Sequence, residues 1–173
     1  GETFVEFKHA SATAIPYADS TFTKVVSIEG VPHFDTRLRF FREAYRVLKP
    51  GGVLACADFT LLLHPKTRLE RFLVRAGARA WCVPQENIYD YRRVVFLLDR
   101  TGFDNVRCEL LGSDTIPGYF WGHRSFSAMR GMRKIRGFFK GVLGGLVIDC
   151  AAYWLFRRGL LEYVVYSAKK PDR

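Results

Sequence analysis

His33 lies just beyond the apolar run Val25-Val26-Ser27-Ile28 and is the side chain best placed to do chemistry. An imidazole of ordinary pKa, about 6.5, accepts a proton near neutral pH, which makes the residue a candidate general base. A capping or surface histidine is the other reading of the same residue. His9, His64 and His123 have no comparable context. Glu29 follows Ile28 at the carboxyl end of that run, where ligands bind in open parallel sheets, although a helix cap or a surface ion pair would use it equally well. Tyr17, Trp81, Tyr119, Phe120 and Trp121 are candidates to line an apolar pocket, or else plain core. Cys56, Cys82, Cys108 and Cys150 are too far apart for a zinc knuckle or a CxxC redox pair. No His and Cys spacing points to a metal.

Those residues need a scaffold, and the pattern supplies an α/β one. The run 3–10 and the run 22–30 read as strands, the second buried on both faces. Asp35 or Thr36 can cap a helix with Leu38, Phe41, Tyr45 and Leu48 on one face. Lys49-Pro50-Gly51-Gly52 stops that helix, because proline cannot continue it and glycine tolerates positive φ. The apolar strand 52–63 follows, which completes a βαβ crossover. Pro65 opens a helix with Leu69, Phe72, Leu73, Ala76 and Ala80 on its apolar side. Asn87 caps another helix that carries Val94, Val95 and Leu98 and closes at Gly102. Strands at 105–112 and 161–170 complete a parallel sheet with an antiparallel element at its end.

The 173 residues, 49% hydrophobic and 15% aromatic, suffice for one domain and exclude a disordered or low-complexity chain. The cysteines are expected to be reduced and core-filling, which together with the absence of a signal peptide suits a cytoplasmic setting. A net charge of +10 concerns association rather than fold. Part of it sits in residues 121–140, which hold Arg124, Arg130, Arg133, Lys134, Arg136 and Lys140 and no acid. Residues 141–156 then run apolar but for Asp149, short of the roughly 20 needed to span a membrane. Residues 113–158 are therefore expected to form a helical lid. Peripheral contact of 124–158 with a membrane is the alternative. Nucleic acid is disfavoured, since no RRM, KH or zinc-finger pattern accompanies the basic stretch.

Two segments resemble class I S-adenosylmethionine-dependent methyltransferases of the small-molecule group that acts on quinones, sterols and macrolide sugars. They are IPYADSTFTKVVSIEG (15–30) and, more specifically, FREAYRVLKPGGVL (41–54). RRVVFLLDRTGFDNVRC and RRGLLEYVVYSAKKP are similar to the family's sixth and seventh strand regions. The resemblance implies a Rossmann-like sheet of order 3-2-1-4-5-7-6 that begins here at the third strand. Residues 1–173 would then be a single partial domain, N-terminally truncated, with a helical insertion before the last strand.

It further implies that Ser11 and Ala12 lie beside the adenine of S-adenosylmethionine and that Ile28 and Glu29 approach its methionine part. His33 would be the base for O-methylation of a small hydrophobic acceptor, with Tyr17, Trp81, Tyr119 and Trp121 around that acceptor. Three departures qualify this. The GxGxG cofactor turn is absent from the chain, Ser11 stands where the family has an acid, and Phe22-Thr23 replaces its Phe-Asp. Only half a cofactor site is expected, inactive by itself. The exposed sheet edge would favour a homodimer, and a non-catalytic binding or dimerisation module is the rival function.

Overall fold

The computed structural model describes residues 4–123 and 125–172. Four strands form one sheet, β1 (Phe22–Ile28), β2 (Leu48–Leu61), β3 (Asp104–Leu110) and β4 (Leu161–Lys169), in the order β1-β2-β4-β3. β1 and β2 are parallel, with Val25 opposite Leu54 and Ile28 opposite Ala57. β4 runs antiparallel to both neighbours, so the reversed strand lies inside the sheet and not at its end. The relative order is that of the last four strands of a Rossmann-like methyltransferase sheet.

Helix α1 (Arg37–Val47) crosses from β1 to β2, and α3 (Tyr91–Thr101) packs beside it. Together they cover the sheet face that carries Leu54, Cys56, Val164, Tyr166 and Ala168. Thr36 caps α1 by accepting a hydrogen bond from Arg39 N. Its buried stripe is Arg37, Phe40, Phe41, Ala44 and Val47, one position round from the expected one, and Leu48 already belongs to β2. Gly102 closes α3 at φ 103°, as expected, but Asp90 and not Asn87 is the N-cap. On the opposite sheet face Val53, Ala55 and Ala57 are half-buried.

The remaining helices gather at the carboxyl end of β2. These are α2 (Arg68–Ala80), α4 (Gly112–His123), α5 (Phe126–Arg136) and α6 (Gly144–Arg157), with a π-helical turn Phe138–Leu143 between the last two. These helices gather around a second cluster that includes Leu61, Val74, Ile116, Leu155 and Leu161. α2 begins at a capping box, in which the side chains of Thr67 and Glu70 bond each other's backbone N–H groups. Glu70 also pairs with Arg158 at 3.0 Å, which joins α2 to the end of α6. Of the side of α2 expected to be apolar, Leu73 packs against that second cluster and the rest faces outward. Leu69 and Phe72 are exposed, whereas Glu70 and Val74 are buried.

Three further expectations are corrected. Residues 4–10 form no strand, and Phe4 and Phe7 are more than 90% exposed, because no neighbouring strand is there to bond them. Thr3 lies outside the described residues, as does Arg124 of the basic stretch. β1 is not buried on both faces, since Val26 and Ile28 are exposed on a strand whose outer edge pairs with no other strand among the described residues. Of the cysteines only Cys56 fills the core; Cys108 is half-buried, and Cys82 and Cys150 are exposed. No helix among the described residues is long and apolar enough to cross a membrane.

Candidate active site

β1 ends at Ile28, and the next residue turns the chain sharply. Glu29 adopts φ 55°, a left-handed conformation that costs a non-glycine residue roughly 1–2 kcal/mol. Its N–H remains tied to Ala57 O of β2 at 2.7 Å. The 3-10 turn Val31–His33 follows, with Val31 and Pro32 buried. That burial anchors the turn and leaves His33 at the surface.

His33 and Glu29 face a cleft of about 210 Å³, walled by Phe59, Trp81, Ile116 and Tyr119. Four of the residues singled out from the sequence therefore meet in one place: Glu29, His33, Trp81 and Tyr119. The walls are ordered by ring contacts. Phe59 stacks on Trp81 with centroids 5.9 Å apart, and Tyr163 meets Phe59 edge-on at 4.9 Å. The Tyr163 hydroxyl donates to Glu29 Oε1 at 3.4 Å. Burial and the Glu29 carboxylate raise the Tyr163 pKa above the ordinary 10.0, so the phenol stays protonated there. Among the described residues no side chain is hydrogen-bonded to the His33 ring. No cluster of three or more His, Cys, Asp or Glu able to hold a metal occurs among them either.

The other expected site residues lie elsewhere. Trp121 is 62% exposed and outside the cleft, and Phe120 stacks on Tyr153 at 4.3 Å, which joins α4 to α6. Tyr17 is edge-on to Phe22 and under Lys8, in the loop that precedes β1. Arg46 explains that loop's position. Its guanidinium donates to Ile15 O and Tyr17 O and pairs with Asp19 and Glu43, while Glu43 accepts from Ile15 N. The same loop holds Ser11, whose hydroxyl bonds Thr13 in its own turn, and Ala12, which packs against the core.

Sequence reasoning missed the buried polar group behind the cleft. Asp58 is fully buried and accepts the Tyr166 hydroxyl at 2.7 Å on Oδ2, while Oδ1 has no partner. Burial pushes its carboxyl up to about 7, against the opposing pull of Tyr166 and the Arg37 charge. Arg37, also buried, donates from Nη2 to Phe59 O at 2.9 Å and lies over the Tyr89 ring. Asn87 accepts Arg37 N and donates to Pro32 O and Phe34 O, which fixes the His33 turn against α1. A lone acid within the apolar run 52–63 was the available signal for Asp58; Arg37 carried no such signal.

A sheet with one reversed strand and a cleft at the carboxyl ends of its parallel strands defines a Rossmann-like α/β domain, a fold class in which ligands bind at that end of the sheet. Comparison narrows the class. Residues 1–56 match the family model described as a methyltransferase domain. The chain is 29% identical over 173 residues to the erythromycin 3''-O-methyltransferase of Saccharopolyspora erythraea, with 96% of this chain and 56% of that protein aligned. It thus spans about half the length of that relative. Among solved structures it resembles Haemonchus contortus phosphoethanolamine N-methyltransferase 2, in complex with phosphomonomethylethanolamine and S-adenosylhomocysteine. The TM-score is 0.74 at 14% identity, covering 93% of this chain and 36% of that one. The [4+2]-cyclase SpnF matches with a TM-score of 0.69 at 21% identity, over 96% and 56% of the two chains. In its first third by the family model, and along most of its length by sequence and fold, the chain is similar to methyltransferases.

Proposed function

We propose that this chain contributes the acceptor side of an S-adenosylmethionine-dependent methyl-transfer site, in which a small apolar acceptor presents a hydroxyl group to His33. One observation carries the reading: Glu29, His33, Trp81 and Tyr119 line a single, mainly apolar cleft at the carboxyl ends of the parallel strands. S-adenosylmethionine, when bound, supplies an electrophilic methyl group on a sulfonium centre. Ile28 and Glu29 fit the part of such a ligand that reaches β1, since Ile28 offers uncovered apolar surface and Glu29 a carboxylate for a cationic group. Of the adenine-side pair, Ser11 is exposed and open to a ligand whereas Ala12 is turned into the core. The aromatic walls hold the acceptor and keep water away. The His33 ring takes the hydroxyl proton, which makes the oxygen a better nucleophile.

The test is methyl transfer from labelled S-adenosylmethionine to phenolic and sugar hydroxyl acceptors, with S-adenosylhomocysteine titrated calorimetrically alongside. Wherever the cofactor site is complete enough for turnover, His33→Ala is expected to lower kcat by about 10²-fold or more and to leave the S-adenosylhomocysteine affinity unchanged. Equal rates for the two proteins would remove His33 as the base. Absence of S-adenosylhomocysteine binding would leave a binding module in place of an enzyme.

A further inference from the structure

The outer face of α2 lines no part of the cleft and packs on no part of the core. Leu73 and Val74 turn inward to the second cluster. Arg68, Arg71, Arg75 and Arg79, spaced three, four and four residues apart, form one exposed ridge along the helix. Leu69, Phe72, Ala76 and Ala80 repeat that spacing one residue on and form a second exposed ridge beside it. Leu69 is 58% exposed and Phe72 66%. With a rise of about 1.5 Å per residue, the arginine ridge runs for about 16 Å.

The fold does not neutralise this face. Among the described residues the side chains of Arg68, Arg75 and Arg79 have no hydrogen bond or ion pair, and Arg71 donates only to Lys66 O at 2.8 Å. The one acid of the helix, Glu70, is turned inward and held by the Lys66 and Thr67 N–H groups and by Arg158. Glu86 is the only other acid between Lys66 and Ile88. A hollow of about 270 Å³ opens against the ridge, bordered by His64, Arg71, Arg75 and Gln85, with room for a phosphate group.

We propose that α2 docks this protein on an anionic phospholipid surface, with its arginines on the lipid phosphates and Leu69 and Phe72 inserted below them. A cationic and an apolar sector side by side on one exposed helix face suit the boundary between headgroups and acyl chains. The arginine stems follow that boundary while the guanidinium groups reach the phosphates. A folded acidic protein would have to supply a pocket shaped for Phe72, whereas a bilayer yields to a protruding ring. Single-stranded nucleic acid stacks on several aromatic platforms, and α2 presents one ring. Trp81 caps α2 and also walls the cleft, so the docked surface adjoins the site. Docking itself does not depend on the methyl-transfer reading.

The test is co-sedimentation with vesicles of equimolar phosphatidylcholine and phosphatidylglycerol, against vesicles of phosphatidylcholine alone. Binding is expected to the first and not to the second. Arg68→Gln/Arg75→Gln/Arg79→Gln should weaken it on the order of 100-fold, about fivefold for each arginine at the surface. Those side chains hold nothing in the fold, so the variant keeps its circular dichroism spectrum. The same charge removed from exposed positions of α5, by Arg130→Gln/Arg133→Gln/Lys134→Gln, should change binding less than about threefold, because charges away from the contact are screened. Leu69→Ser/Phe72→Ser keeps every charge and should weaken vesicle binding about tenfold or more. No binding to the anionic vesicles, or equal losses in the α2 and α5 charge variants, overturns the proposal. Full binding by Leu69→Ser/Phe72→Ser overturns it too, since phosphate contact alone would then suffice. If polyuridylic acid at equal phosphate concentration strips the protein from the vesicles, the ridge is a nucleic-acid face and the proposal falls.

Discussion

Asp58→Asn should make the protein more stable, and increasingly so as the pH rises from 4 to 7. The cause is burial: Asp58 is fully enclosed, with one oxygen on the Tyr166 hydroxyl and the other on nothing. Its pKa rises from 3.8 in the open chain to about 7 in the fold. Each unit is worth roughly 1.4 kcal/mol, so the difference amounts to about 4 kcal/mol. The sign follows from proton binding. Below pH 3.8 both states hold the proton and the carboxyl carries no penalty. Between 3.8 and 7 only the unfolded chain has released it, so stability falls by about 1.4 kcal/mol per pH unit. Above 7 the penalty is constant. Asparagine has no charge to desolvate and keeps an oxygen for Tyr166. Equilibrium urea denaturation of both proteins at pH 4, 5, 6, 7 and 8 isolates the effect, because every other titrating group cancels in the difference. The gap should move in favour of the variant by about 4 kcal/mol across that range. Two parallel stability curves, with a gap constant to within about 1 kcal/mol, would show that Asp58 is not held neutral by its surroundings.

Two other substitutions probe the frame around the site. Glu70 is lowered from 4.5 to about 2 by the N–H groups of Thr67 and Lys66 and by Arg158, so its contribution is whole above pH 4.5 and is lost as the pH falls toward 2. Glu70→Gln should therefore be the less stable protein at pH 7 and equal to the wild type near pH 2; acid titration by circular dichroism measures the convergence, and a gap unchanged with pH would refute the assignment. Leu98, fully enclosed in the α1–α3 core, should cost roughly 2–5 kcal/mol on truncation to alanine. Thermal and denaturant unfolding would reveal it, and a loss below 1 kcal/mol would mean that the core closes over the cavity.

The elements were legible wherever local rules decide. Thr36 as a cap, Gly102 as a left-handed stop and Gly51 at φ 75° after α1 all follow from backbone chemistry that neighbours three or four residues away can express. The errors arise where a distant segment overrides the pattern. Leu69 and Phe72 form the more apolar face of α2, yet the capping box and the Arg158 ion pair turn Glu70 inward and bring Val74 with it. Asn87 has the chemistry of a cap, but three bonds to the chain around residues 32–37 claim it. Residues 4–10 have the composition of a strand without a neighbour to complete it. Of the four cleft residues, Glu29 and His33 were legible because they follow the end of an apolar run, and Trp81 and Tyr119 because large aromatic side chains suit an apolar pocket, although Trp81 caps one helix and Tyr119 lies on another. Tyr17 and Trp121 have the same composition and differ only in tertiary placement.

The buried face of β2 grades from hydrocarbon to polar along its length: Leu54, then Cys56, then Asp58 and Thr60. Thr60 is fully used, its hydroxyl donating to Tyr89 O at 2.7 Å, and so is every hydrogen-bonding group of Asn87 that holds the His33 turn. The unpartnered buried side-chain atoms among the described residues belong to Arg37 and Asp58 alone. A core selected for stability alone would fill those positions with apolar side chains of similar volume, often at no cost or at a gain of 1–4 kcal/mol. Here the imperfection is confined to the carboxyl end of the parallel pair, beside the cleft walled by Phe59 and Trp81. Unpartnered polar atoms gathered at the carboxyl end of the parallel strands, the end at which open α/β sheets bind ligands, depart from the rule that the rest of this core obeys.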